Sequence, residues 1–292
     1  MPTLTTRALI AALHLLPDSV VSQAMTHPPR RRRASLAPRS VSRRHDVTEV
    51  EIDGHLVATA RPRSGKADAG RHLVHLHGGA YTLQDQHWAF LELWLELGWT
   101  VTLVDYPLAP EHTVDQTVPM TIAAWEHVVA GAGGTPIDLV GDSAGGGLAL
   151  VLLQHLRDHG RPLPRRTVLL SPWVDLVMDD AATIAAADDD ALLSLSGLRG
   201  AAALYAGDRP LTDPWLSPIN GGLHDLGEVQ AWVGTAEMFV PQDQRLADLA
   251  AAATGTTMTL HLGHGLPHDW ALFPVPERAW LVAEMRTFLD RP

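Results

Sequence analysis

The chain has 292 residues, 46% of them hydrophobic, which is enough for a large core, yet no apolar run reaches the roughly 18 to 20 residues a membrane-spanning helix needs. It contains no cysteine, which excludes disulfides, thiol nucleophiles and Cys-ligated zinc. The net charge of −11 is uneven: residues 1–45 hold eight arginines against Asp18, a local +7, leaving −18 on an acidic body that argues against a nucleic-acid partner.

The first stretch, RALIAALHLLP, reads as an amphipathic helix stopped at Pro17. His14 interrupts its apolar run and no A-x-A site follows, so it is not read as a secretory leader and a cytoplasmic protein is expected. Arg30 to Arg33, with Arg39, Arg43 and Arg44, suit a solvated segment lying over the acidic body. Peripheral contact with an anionic membrane surface is the lesser reading.

From residue 47 the pattern alternates. VTEVEI (47–52) and HLVATA (55–60) flank Asp53-Gly54, a strong hairpin turn. HLVHLH (72–77), WTVTLV (99–104), PIDLV (136–140), TVLLS (167–171), VQAWVG (229–234) and TMTLHL (257–262) are short and apolar, as buried strands are. Between them lie helical spacings, such as Trp88, Leu91 and Leu95, and Leu148, Val151 and His155, the latter running into Gly160 as a C-cap. A hairpin followed by alternating strands and helices predicts a mostly parallel sheet covered on both faces. Residues 1–45 and 176–215 fall outside this alternation and are expected to lie over one end of the sheet.

LVGDSAGGGLAL (139–150) places Ser143 in a glycine-rich turn between a strand and a helix, the context of a G-x-S-x-G nucleophile elbow. A phosphate loop would need G-K-[ST] and a dinucleotide fingerprint G-x-G-x-x-G, and the stretch supplies neither. HLHGGAY (75–81), after another strand, frees backbone N–H groups for an oxyanion hole, to which the N–H of Ala144 adds. His72, His75 and His77 crowd together there, but no further ligand stands at metallohydrolase spacing, so no metal is expected. HGLPHDW (264–270) offers His268 and, more weakly, His264 as general base. VGTAEMFVPQD offers Glu237 and Asp243 as the acid, Glu237 being nearer the strand end. The order serine, acid, histidine is that of α/β-hydrolases.

These residues resemble the hormone-sensitive lipase family of α/β-hydrolases. HGGAY (77–81), DYPLAPEH (105–112), GDSAGG (141–146), LSPWVDL (170–176), GTAEMFV (234–240) and GLPHDW (265–270) stand in that family's order, and the similarity spans about residues 70–289. It implies an α/β-hydrolase fold with a mostly parallel eight-stranded sheet, helices on both faces and a helical cap. The cap would comprise residues 1–45 and an insertion at 176–215, and the core would comprise 46–175 and 216–292. It implies Ser143 as nucleophile, His268 as base, Glu237 as acid, and the N–H groups of Gly79, Ala80 and Ala144 as oxyanion donors. Ala80 replaces the family's third glycine, Pro107 its usual arginine, and Pro241 and Gln242 its paired acids, so Asp243 stays open as the acid.

The expected reaction is hydrolysis of short- to medium-chain acyl esters through an acyl-enzyme, with no cofactor, by a monomer or homodimer acting on a small-molecule ester. The rival readings are an amidase, formamidase or deacetylase on the same triad, a lyase, and a non-catalytic small-molecule receptor.

Overall fold

Eight strands form one sheet in the order β1-β2-β4-β3-β5-β6-β7-β8. The computed structural model describes residues 1–29, 35–63, 69–84 and 87–291. In chain order its elements are α1 (Leu4–Leu13), α2 (Asp18–Thr26), α3 (Arg39–Arg44), β1 (His45–Ile52), β2 (His55–Pro62), β3 (His72–Leu76), α4 (Trp88–Glu96), β4 (Thr100–Val104) and α5 (Val114–Gly131). They continue with β5 (Ile137–Asp142), α6 (Ala144–Asp158), β6 (Thr167–Leu170), α7 (Ala181–Ala186), α8 (Leu195–Ala206), β7 (Gly227–Gly234), α9 (Val240–Ala251), β8 (Thr256–Gly263) and α10 (Arg278–Leu289). The arginine run at 30–33 lies outside the described residues, and with it the membrane-contact reading. Among the described residues no single helix is long and apolar enough to cross a membrane.

The sheet is mixed. β1 and β2 form the expected hairpin, turning at Asp53 (φ 47°) and Gly54 (φ 81°), and β2 joins β4 antiparallel, while the remaining pairings are parallel. Each central strand alternates between two apolar layers. Leu139 and Leu169 face the layer built with α5, α6, α8 and α9, whereas Val140, Val168 and Leu170 face the one built with α4 and α10. Burial on both faces explains why these strands read as unbroken apolar runs. Each fully buried Leu or Val stabilises the fold by about 1.5–3 kcal/mol.

Local signals mark the helix ends. The Thr113 N–H donates to Gln116 Oε1 at 2.8 Å, closing a capping box at the start of α5. Gly160, at φ 59°, follows α6 where the sequence placed a C-cap.

The strand order positions the site. The chain runs outward from β3 to β4 in one direction, and from β5 through β6 and β7 to β8 in the other. The crevice of such a sheet opens at the carboxyl ends of the strands where the order reverses. Leu76 of β3 pairs with Gly141 of β5, so HGGAY and GDSAG emerge side by side.

Candidate active site

Ser143 sits at φ 50°, ψ −120°, between β5 and α6. A non-glycine residue in that region carries strain of about 1–3 kcal/mol and persists only where its surroundings hold it. Here the Ser143 N–H donates to the Leu170 carbonyl at 2.8 Å, and its own carbonyl accepts from Trp173 N at 2.9 Å. A Cβ on Gly145 would collide with the carbonyl oxygen of Leu76, which is why only glycine fits where the helix crosses β3.

His268 and Glu237 arrive from the loops after β8 and β7. His268 Nε2 lies 3.0 Å from Ser143 Oγ, and His268 Nδ1 lies 3.1 Å from Glu237 Oε2. All three residues are buried, Ser143 at 4% exposure. His264 is exposed and is not brought to the serine. Asp243, in the first turn of α9, is buried near Glu237 and His268, and neither of its carboxylate oxygens has a hydrogen-bond partner among the described residues. Burial, and then the charge of Glu237, push the Asp243 carboxyl well above its ordinary range, which favours its neutral form. Burial pushes Glu237 up as well, to about 7, against the pull of His268.

Burial lowers the pKa of His268, but the carboxylates of Asp269 and Glu237 outweigh it, and the imidazole is raised well above its ordinary value. Asp269, at φ 50°, places Oδ2 3.2 Å from His268 Nε2, on the nitrogen that also faces Ser143. Ser171 Oγ donates to Glu237 Oε2 at 2.9 Å and accepts from the Asp269 N–H at 3.2 Å. Neither residue stood out in sequence. Ser171 was visible only as part of LSPWVDL, and Asp269 only as the neighbour of His268.

In the loop after β3, three consecutive residues take positive φ: Gly79 at 106°, Ala80 at 54° and Tyr81 at 60°. The Gly78 N–H is committed to Asp142 Oδ2 at 2.7 Å. The N–H groups of Gly79, Ala80 and Ala144 donate no hydrogen bond among the described residues, which leaves them free to meet an oxyanion. The Ala144 N–H also opens α6, whose N-terminal dipole favours negative charge.

The crowded histidines have separate partners. His72 bonds Thr102 Oγ1 at 2.7 Å at the far end of β3, and burial lowers its pKa to about 4. His77 stacks on Tyr106, with centroids 4.3 Å apart. His75 Nε2 lies 2.8 Å from Asp142 Oδ1, and His87 Nε2 lies 3.1 Å from Asp142 Oδ2. Against the desolvation of full burial, His87 and His75 hold the Asp142 carboxyl below the usual carboxylate range. No group of three metal-ligating side chains assembles among the described residues.

One departure from the family pattern gains a structural account. Gln242 Oε1 accepts from the N–H groups of Val174 and Asp175 at 2.9 and 2.8 Å, so a neutral amide serves as acceptor close to two buried carboxyls.

Comparison with known proteins shows the family. Residues 73–272 match the model of the alpha/beta hydrolase fold family. An acetyl-hydrolase of Streptomyces hygroscopicus is 34% identical over 205 residues, covering 69% of this chain and 68% of that one. An esterase of Acinetobacter venetianus is 30% identical over 237 residues, covering 77% of each. The crystal structure of an esterase from the bacterial hormone-sensitive lipase family superposes with a TM-score of 0.79 at 27% identity, covering 96% of both chains. The chain is thus a carboxylic ester hydrolase and belongs to the hormone-sensitive lipase branch of the α/β-hydrolase fold family.

Proposed function

We propose that the chain hydrolyses short- to medium-chain acyl esters through an acyl-enzyme on Ser143, with His268 as general base and acid and Glu237 as the orienting carboxylate. The observation that carries this reading is the continuous path from Ser143 Oγ through His268 Nε2 and Nδ1 to Glu237 Oε2, at 3.0 and 3.1 Å.

Ser143 Oγ attacks the ester carbonyl carbon while its proton passes to His268 Nε2. Nδ1–H stays on Glu237, which fixes the tautomer and stabilises the imidazolium. The oxyanion forms against the N–H groups of Gly79, Ala80 and Ala144. On collapse the C–O bond to the alcohol breaks, and the alcohol leaves with the proton from Nε2. Water then attacks the acyl-enzyme, gives its proton to Nε2, and the acid departs as Ser143 recovers that proton.

The short-chain preference is supported by the enclosure of Ser143 and by an acetyl-hydrolase among the relatives. We read the described residues of the 1–45 segment and the 176–215 insertion as one cap. α2 packs on α8, and Asp190 of the insertion accepts from the Met238 N–H beside Glu237 at 2.9 Å.

The test is hydrolysis of p-nitrophenyl esters from acetyl to palmitoyl, with Ser143→Ala in parallel. Activity that peaks at short chains and is lost in the variant is expected. A folded Ser143→Ala protein with near-normal activity overturns the reading.

A further inference from the structure

Tyr81 directly follows the oxyanion donor Ala80 and ends the run of three positive-φ residues. Its side chain is fully buried. Two sets of contacts hold it. The first is backbone. The Tyr81 carbonyl accepts from Ala109 N at 2.9 Å, and the Gly79 carbonyl accepts from Thr82 N at 3.0 Å and Leu83 N at 2.7 Å. The Gly79 carbonyl shares a rigid peptide plane with the Ala80 N–H, so pinning the oxygen aims the N–H the other way.

The second is the ring. Tyr81 stacks face to face on Tyr205 of α8, with centroids 3.9 Å apart and planes 4° from parallel. Trp173 lies against it at 6.0 Å. A Cβ on Gly147 of α6 would come within 3.0 Å of the Tyr81 hydroxyl, so the ring reaches the helix that carries the third donor. Returning Tyr81 to a negative φ would swing this ring out of the stack. The stack therefore opposes relaxation of the strained loop.

Tyr205 belongs to the 176–215 insertion, and α8 is itself gripped from the other side. α2 lies so close that a Cβ on Gly200 would clash with the Thr26 methyl. A chain of direct contacts thus leads from α2 through α8 and the Tyr205 ring to Tyr81, and along the backbone to Ala80.

We infer that Tyr205 is a positioning residue for the oxyanion loop, and that the cap acts as a strut of the oxyanion hole as well as a cover over Ser143. The inference rests on the ester-hydrolase reading for its effect on rate, and on the Tyr81 backbone for its structural content. It distinguishes this residue from an ordinary pocket wall, which would affect substrate binding and leave stabilisation of the tetrahedral species alone.

The experiment compares Tyr205→Leu and Tyr205→Phe with the wild type. It reads kcat and KM for p-nitrophenyl butyrate, affinity for an alkyl trifluoromethyl ketone whose adduct carries an oxyanion, and the crystal structure of Tyr205→Leu. Loss of the stack is expected to lower kcat and ketone affinity together by ~10-fold. KM should change little, Tyr205→Phe should restore both losses, and Tyr81 should leave its positive φ in Tyr205→Leu. A rise in KM with kcat and ketone affinity intact overturns the inference, as does a Tyr205→Phe variant as impaired as Tyr205→Leu. A Tyr81 φ still near +60° in Tyr205→Leu overturns it whether or not the wild type cleaves esters. Wild-type inactivity on every ester would instead count against the proposed function. Should Tyr205→Leu not fold, Gly200→Val wedges α2 from α8 with both rings intact. It is expected to lower kcat and ketone affinity in the same way, and an unchanged kcat there overturns the inference.

Discussion

The backbone N–H of Gly78 donates to the carboxylate of Asp142 at 2.7 Å, tying the loop after β3 to the residue that precedes Ser143. His75 and His87 lie 2.8 and 3.1 Å from the same carboxylate, so one fully buried group joins the two loops that the proposed reaction uses. Asp142→Ala removes the acceptor of the Gly78 N–H and the carboxylate that His75 and His87 face. We expect kcat for p-nitrophenyl butyrate to fall by about 10- to 100-fold, with a smaller change in KM, because the loss is one of donor placement. Steady-state kinetics alongside a thermal melt checks this. An unchanged kcat in a folded variant contradicts it.

The protonation of His268 sets the pH profile. In the proposed mechanism its neutral form is the base, so activity is expected to rise as pH passes upward through its pKa. The Asp269 and Glu237 carboxylates raise that pKa, which puts the acid limb of kcat/KM above the ordinary histidine value of about 6.5. Glu237→Gln removes one negative neighbour. It is expected to shift the limb to lower pH while kcat falls on the order of 10³-fold or more.

Asp243→Asn supplies the contrasting case. Burial favours the neutral form of Asp243, so exchange for a neutral amide of similar size is expected to leave the profile within about 0.3 units of wild type, far less than the ~1-unit spread neighbours commonly impose. If Asp243→Asn instead reproduced the behaviour of Glu237→Gln, the assignment of the acid would have to be reversed.

Ser171→Ala tests the support beneath Glu237. The substitution removes a buried hydrogen bond to Oε2 and the acceptor for the Asp269 N–H. A loss of about 1–2 kcal/mol is expected, read as a kcat lower by roughly 5- to 30-fold. Ser171→Thr keeps the hydroxyl and is expected to recover part of it.

Stability rests partly on a buried ion pair behind the site. Arg165 holds the fully buried Asp138 of β5 through two hydrogen bonds, 3.1 and 2.8 Å long, and also bonds the Leu289 and Arg291 carbonyls at the end of α10. Arg165→Ala leaves an uncompensated buried carboxylate, and denaturant unfolding should show a loss of about 3–5 kcal/mol. Pairing Asp138→Leu with Arg165→Met is expected to recover much of this, since apolar groups of similar volume carry no desolvation cost.

What the sequence determined by itself was local and ordered. The strands were legible because burial on both faces removes polar residues from them, as in HLVHL and TVLL. The turn at Ser143 was legible because strand, turn and helix chemistry lie within a dozen residues. Which of Glu237 and Asp243 lies beside His268 Nδ1 is visible only in the tertiary structure, since both stand after the same strand. Tertiary structure also gave His75 a partner that the sequence did not reveal. Its partner Asp142 lies 67 positions away and is brought beside it by the pairing of β3 with β5. The stack of Tyr205 on Tyr81 was likewise invisible, because a ring contact across 124 positions leaves no periodicity. Short-range sterics and burial write themselves into neighbouring residues. The partner of a buried charge or ring is set by which segments the core packs together.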